Sequence, residues 1–267
     1  MKIDHKFSAP HDSDMPFIHP DRPVARFRPL KALHHFRELI KDKEDTAQVF
    51  HIFESLPRPG FRKDAKAFVD SAKGKALLAS EPHLSELLDD HERLRKMPEG
   101  SLAHAYCDFM EKEGLSAAGL IAEYDQFSPR KYGDLLEWYG FRQRDTHDLL
   151  HILTGYGRDA LGEACVLAFT YGQNPALGNI FIAYAAGLNM KKQSKIKVPI
   201  FKAIREAQKM GKACPSISEA NIAELLAQPL DELRERLHIK TPQAYLDVHA
   251  QFRAGNIDPY DLMGQAA

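Results

Sequence analysis

Thirty-two alanines and 29 leucines stand against six valines in this 267-residue chain, and its apolar residues recur three and four apart rather than in alternation. That spacing paints one stripe along a helix, and alanine and leucine are strong helix formers. An all-α fold, a single multi-helix domain, is predicted. Leu30, Leu33, Phe36, Leu39 and Ile40 read as the core stripe of a first helix, and Val49, Phe50 and Phe53 as that of a second, stopped by Pro57-Arg58-Pro59-Gly60. Further helices are predicted over 61–79, 83–95, 101–113 with Ser101 as cap, 115–124, 130–140, 142–154, 160–172, 177–190, 199–210, 218–227, 230–238 and 242–252. Ser128-Pro129 reads as a helix start, because the hydroxyl can accept an early N–H and the proline needs none. Residues 1–29, with five prolines and His5, His11 and His19, read as an extended Pro/His-rich arm, leaving 30–267 as the helical domain.

Charge and cysteine content narrow the function classes. Lys and Arg number 36 against 37 Asp and Glu, a formal net charge of −1, whereas generic nucleic-acid binding needs a strongly basic face. Cys107, Cys165 and Cys214 form no C-x-x-C pair and are too few for a disulfide framework, so a reducing, cytoplasmic setting is expected. The amino terminus lacks the apolar core of a signal peptide, and the longest apolar stretch, 180–188, falls short of the ~20 residues of a membrane-spanning helix. Charge is nevertheless unevenly spread. The stretch 191–212 carries seven Lys and one Arg against Glu206 alone, interrupted by Ile200, Phe201, Ile204 and Met210. This is the pattern of a helix lying in an anionic lipid surface, with a solvated basic face as the bland alternative.

The most chemical segment is HDLLHILTGYGRDALGE, from His147 to Glu163. His147 and His151 are four apart, so at ~100° per residue their imidazoles share a helix face. Asp148 lies ~60° round from His151 on the same geometry, either as a third ligand or as a carboxylate that orients an imidazole. Gly155 and Gly157 should end this helix, with Asp159 capping the next, and the reversal brings Glu163 round to face the histidine pair. Two imidazoles and one or two carboxylates suit a divalent cation, with zinc, manganese, iron and cobalt all compatible. The bland alternatives are two histidines hydrogen-bonded in a helix interface, a solvated Asp148, and a Glu163 that answers the helix dipole.

His147-Asp148-x-x-His151, then eleven residues, then Glu163 resembles the signature of the fourth protein of the coenzyme Q (ubiquinone) biosynthesis set. PEGSLAHAYCDFM at 98–110, the FRQRDTHD run and PLDELRERLHIKTP are similar to stretches of the same family, and the resemblance covers roughly residues 45–242. It implies action on a polyprenylated 4-hydroxybenzoate-type ring, removing the ring carboxyl or replacing it by hydroxyl. It also implies His147, Asp148, His151 and Glu163 as ligands of a divalent metal, zinc by common assignment. Arg142, Arg144 and Arg158 are then candidates to grip the substrate carboxylate, against the plain reading of surface arginines, and Tyr156 is a candidate ring contact or a packed turn aromatic. FIAYAAGL at 181–188 would suit the wall of an apolar groove for the isoprenoid tail, or an ordinary core helix. The resemblance further suggests a homodimer, and 191–212 suggests peripheral attachment to the inner (cytoplasmic) membrane of a bacterium. Two other classes stay open: a non-catalytic lipid-binding scaffold that organises other quinone-biosynthesis enzymes, and an unrelated metal-dependent hydrolase drawing on His51, His91 or His104.

Overall fold

The computed structural model describes residues 15–42, 45–128 and 130–261. Its helices run in chain order α1 (Pro29–Leu39), α2 (Thr46–Ser55), α3 (Phe61–Asp70), α4 (Ala72–Ser80), α5 (Leu84–Asp89), α6 (His91–Leu94), α7 (Leu102–Glu113), α8 (Ala117–Phe127), α9 (Leu135–Asp145), α10 (His147–Thr154), α11 (Ala160–Gln173), α12 (Leu177–Gln193), α13 (Ile200–Ala213), α14 (Ile222–Leu226), α15 (Leu230–Arg236) and α16 (Gln243–Ala254). No strand occurs among the described residues, so the all-α expectation holds. None of these helices is long and apolar enough to cross a membrane.

Short polar side chains decide where helices stop and restart. Ser71 adopts an extended backbone and takes the N–H of Gly74, dividing the helix expected over 61–79 into α3 and α4. Asp90 takes the N–H of Arg93 and divides the one expected over 83–95. Ser101 caps α7 as predicted, accepting from His104 N. Ser128 does the opposite of what its sequence context suggests: it ends α8, its N–H bonded to Tyr124 O, while Pro129 lies outside the described residues. The next helix starts at Leu135, where the Asp134 carboxylate accepts from Glu137 N. A carboxylate satisfies an orphan N–H at a helix start as well as a hydroxyl does.

The centre of the molecule is α11, flanked by α12 and α13. Cys165, Val166, Ala168 and Phe169 on it are fully buried. Here α11 and α13 meet backbone to backbone: a Cβ on Gly211 would lie 2.0 Å from the Phe169 carbonyl oxygen, and one on Gly172 2.4 Å from that of Gln208. The apolar face of α13 is therefore taken. Of the residues expected to enter a lipid surface, Ile200, Ile204 and Met210 are buried in the core and Phe201 is half-buried against it, stacked on Tyr184, so the most exposed side of α13 is the basic one.

The first helix also departs from its expected stripe. Ala32, Phe36 and Leu39 face inward, while Leu30 is 81% exposed and Leu33 37%. Because 32, 36 and 39 already fill the ~100°-wide face that a surface helix buries, 30 and 33 are left outside it. The described part of the arm, residues 15–28, holds no helix and is fastened to the helical body. Phe17 and Ile18 pack on a small second core of Ala65, Phe68, Val69, Leu77, Leu136, Trp138 and Tyr139. Asp134 accepts from His19 N at 2.8 Å and from Arg22 Nε and Nη2 at 2.7 and 2.8 Å. His5 and His11 lie outside the described residues.

Between the arm and α1, α2, α8, α9, α10, α11 and α12 the helices leave a cavity of about 1470 Å³. Its walls include Phe36, Leu39, Phe50, Phe53, Phe141, Leu167 and Ile182. The 181–188 stretch contributes Ile182 and Ala186 to the wall, whereas Gly187 packs tightly on Phe201 and Ile204.

Candidate metal centre

The short helix α10, the turn after it and the longer α11 build the site. Thr146 keeps nearly helical angles between α9 and α10, and its hydroxyl donates to Arg142 O at 2.9 Å, so the chain runs from one helix to the next without reversing. Gly155, at φ +76°, ends α10 in the left-handed conformation that only glycine adopts freely. The carbonyls left open there are filled from far along the chain: Arg234 donates from Nη2 to Ile152 O at 2.8 Å and from Nε to Leu153 O at 3.0 Å. Asp159 then starts α11, accepting from Leu161 N and Gly162 N. Its buried carboxylate also accepts from the Tyr245 hydroxyl at 2.5 Å and lies 3.1 Å from His249 Nε2.

That reversal brings three ligand atoms together. His147 Nε2 and His151 Nε2 are 3.4 Å apart, and Glu163 Oε2 is 3.5 Å from each. Among the described residues this is the group of His, Cys, Asp and Glu whose ligand atoms converge. The spacing itself tests the fit: ligands at ~2.1 Å from a tetrahedrally held zinc are ~3.4 Å from one another. Three atoms at those separations form one face of such a polyhedron and leave a further position for another ligand.

The imidazoles are already aimed. His151 is buried, with Nδ1 3.0 Å from the Tyr156 carbonyl oxygen and its ring stacked on Phe109 at 5.7 Å. A carbonyl can only accept, so Nδ1 carries a proton and Nε2 is the ring nitrogen that faces the cluster. Burial pulls the His151 pKa down, but Glu163 and the Tyr156 carbonyl outweigh it and the net direction is up. For Glu163 burial pushes the carboxyl up, and His151 and His147 override this, holding it well below the ordinary carboxylate range. The carboxylate stays ionised and available to a cation.

The other expected site residues divide. Asp148 lies on the cavity wall, and the ligand-type atoms that converge are those of His147, His151 and Glu163. Arg158 lies on the wall with Nε 3.9 Å from Glu163 Oε1. Arg144 also lies on it: Nε is held by Asp145 at 2.7 Å, the guanidinium is 4.4 Å from the Phe141 ring centre, and Nη1 is buried with no hydrogen-bond partner. Arg142 is a correction. It is buried behind the site, bonded through Nη1 to Glu81, through Nε to Ser218 O and through Nη2 to Ala220 O, so every arm of its guanidinium is engaged away from the cavity. Tyr156 is likewise a correction: its ring is buried against Tyr245 at 5.3 Å, off the cavity wall, and its contribution is the backbone carbonyl that orients His151. Phe109, Arg234 and the Asp159–Tyr245–His249 cluster escape sequence reasoning because each acts across a long chain separation. The one local signal among them, Asp159 as a cap, is legible.

Comparison with known proteins places this arrangement in a family. Residues 40–243 match the family described as "Coenzyme Q (ubiquinone) biosynthesis protein Coq4". The chain is 28% identical over 176 residues to the mitochondrial ubiquinone biosynthesis protein COQ4 homolog of Mus musculus, covering 65% of this chain and 63% of that one. It is 28% identical over 187 residues to the Bos taurus protein of the same name, covering 68% of each. A crystal structure of a Nostoc punctiforme protein assigned to ubiquinone biosynthesis aligns with a TM-score of 0.54 at 19% identity, covering 80% of this chain and all of that one, and so shares the fold. The family match runs through α2 to the start of α16 and includes all three converging ligands, and on that ground the chain belongs to the Coq4 family of coenzyme Q (ubiquinone) biosynthesis proteins.

Proposed function

We propose that this protein removes the ring carboxyl of a polyprenylated 4-hydroxybenzoate-type precursor of ubiquinone. The observation that carries the reading is a three-member ligand set on the wall of a large apolar cavity: His147 and Glu163 both line it. At about 1470 Å³ the cavity exceeds the ~300–1,000 Å³ of ordinary small-molecule pockets, as an aromatic head with an isoprenoid tail requires. A divalent ion held by His147, His151 and Glu163, zinc on the donor set and manganese, iron or cobalt equally compatible, would supply Lewis acidity toward a substrate oxygen.

The chain's own groups account for the remaining demands. Arg158 and Arg144 bring guanidinium groups to the cavity wall, a setting suited to a carboxylate. Much of the wall is apolar, which strengthens the charge interactions made beside it. In the reaction the carbon–carbon bond to the carboxylate breaks and carbon dioxide leaves. The para hydroxyl feeds electron density to the carboxyl-bearing carbon so that it takes a proton, and the electron pair of the broken bond restores the aromatic ring. A ligand set with an open position favours catalysis over the scaffold reading, since structural sites are usually closed by four protein ligands.

Mass-spectrometric profiling of quinone intermediates tests the proposal, in a strain lacking the gene and rescued with wild type or His151→Ala. The carboxylated polyprenyl ring accumulates in the deletion, clears with wild type and persists with His151→Ala and with Glu163→Ala. The same profile distinguishes a ring left with hydrogen at that carbon from one left with hydroxyl. Full rescue by a stably folded His151→Ala protein would overturn the enzymatic reading.

A further inference from the structure

Among the described residues, four large apolar side chains beside the cavity are exposed. Val24 is 72% exposed, Phe27 62% and Leu30 81%, and Leu33 stands beside them on the outer face of α1. Leu30, Leu33, His34 and Arg37 recur at three- and four-residue spacing, so the arm runs directly into an amphipathic outer face of α1. An exposed apolar patch rimmed by polar groups marks an interaction site.

Charge says what kind of partner it meets. Between residues 22 and 37 the chain carries Arg22, Arg26, Arg28, Lys31 and Arg37 and no Asp or Glu, in a protein whose net charge is −1. Glu54 answers Arg28 and Lys31 together, and Arg22 is spent on Asp134, while Arg26 and Arg37 are exposed at the patch. Arginine stems lie along apolar surface while their heads reach anionic groups, the arrangement that suits a headgroup boundary. Position completes the argument: Val24 and Phe27, themselves exposed, also line the cavity that holds the metal-ligand set. A bilayer against this patch would face the cavity mouth.

We propose that residues 23–37, the end of the arm and the outer face of α1, form the surface by which this protein docks on an anionic lipid bilayer, with the cavity mouth against the lipid. Along the basic stretch 191–212, by contrast, Ile200, Ile204 and Met210 are buried and Ile196, Val198 and Phe201 pack half-buried against the core. The assignment extends the lipid-substrate reading but is read out without catalysis, so its failure and that of the decarboxylase proposal are separable.

Flotation of the full chain with phosphatidylcholine vesicles, with and without phosphatidylglycerol, tests it. Wild type floats with the anionic vesicles. Phe27→Asp with Leu30→Asp lowers binding at least tenfold with an unchanged circular dichroism spectrum, and Arg26→Glu with Arg37→Glu abolishes the preference for phosphatidylglycerol. Lys202→Glu with Lys209→Glu, on the exposed side of α13, binds as wild type, and so does His151→Ala. Loss of binding in the α13 variant with retention in Phe27→Asp/Leu30→Asp would overturn the assignment, as would no binding of wild type to either vesicle. If light scattering shows that Phe27→Asp/Leu30→Asp splits a dimer while vesicle binding is kept, the patch belongs to a second copy of the chain and the proposal fails.

Discussion

A cation at this centre would be held by three side chains, and the contribution of each is measurable one residue at a time. His147→Ala or Glu163→Ala should weaken zinc binding at least about tenfold by titration calorimetry, since even groups one shell further out carry that much. Asp148→Asn should cost less, because Asp148 stands outside the converging triangle. Asp159 makes a different prediction: it accepts from two backbone N–H groups and from Tyr245, with His249 beside it, all in a buried setting. Asp159→Ala should destabilise the fold by about 2–4 kcal/mol in urea titration, a lost cap plus stranded buried donors. His147 and His151 were legible in the sequence because one turn of helix fixes their relation. Arg142 was not, because its partner Glu81 lies 61 residues away and no local pattern announces it. Removing that arginine should cost about 3–5 kcal/mol while leaving zinc affinity unchanged, the mark of a buried ion pair broken outside the site.

Helices carry the next lesson, that amphipathicity shows which face is apolar without showing what it meets. The apolar side of α13 was plain in the sequence, yet it closes on α11 rather than on lipid. For α1, Leu30 and Leu33 looked like core and stand outside. Periodicity cannot separate the two cases, because a bilayer and a neighbouring helix reward the same spacing. What separates them here is the pair Gly172 and Gly211, which let α11 and α13 approach until backbone touches backbone. Gly211→Ala would place a methyl carbon 2.0 Å from the Phe169 carbonyl oxygen. It should lower stability by at least about 1–3 kcal/mol, the usual cost of overpacking, read as a fall in thermal midpoint. Helix breaks were legible only in part, since Ser71 and Asp90 could equally have sat on an uninterrupted exposed face.

At the scale of the molecule, composition and spacing sufficed for the all-α class because so few valines stand among the alanines and leucines, whereas the second small core joins α3 and α4 to α9 far along the chain and the arm is fastened across more than a hundred residues. That fastening responds to pH. Burial pushes the Asp134 carboxyl up, but hydrogen bonds from Arg22, His19 N and Glu137 N override it and set it below its usual value. A depressed carboxylate stabilises the fold fully above the unfolded pKa of ~3.9 and loses that contribution as pH falls toward its folded value. Unfolding midpoints should therefore be insensitive to this group between pH 7 and 5 and decline below about pH 4, and Asp134→Asn should remove that part of the decline. The close seating of α11 on α13 also has a mechanical side. Contacts made of bare backbone have no rotamers to shift, so α11 cannot slide, and Glu163 rides on it as on an anvil. The histidines ride on α10, eight residues long and secured at its end by one arginine. Any widening of the centre to admit or release a ring belongs to α10, and amide exchange should run faster across 147–154 than across 165–172.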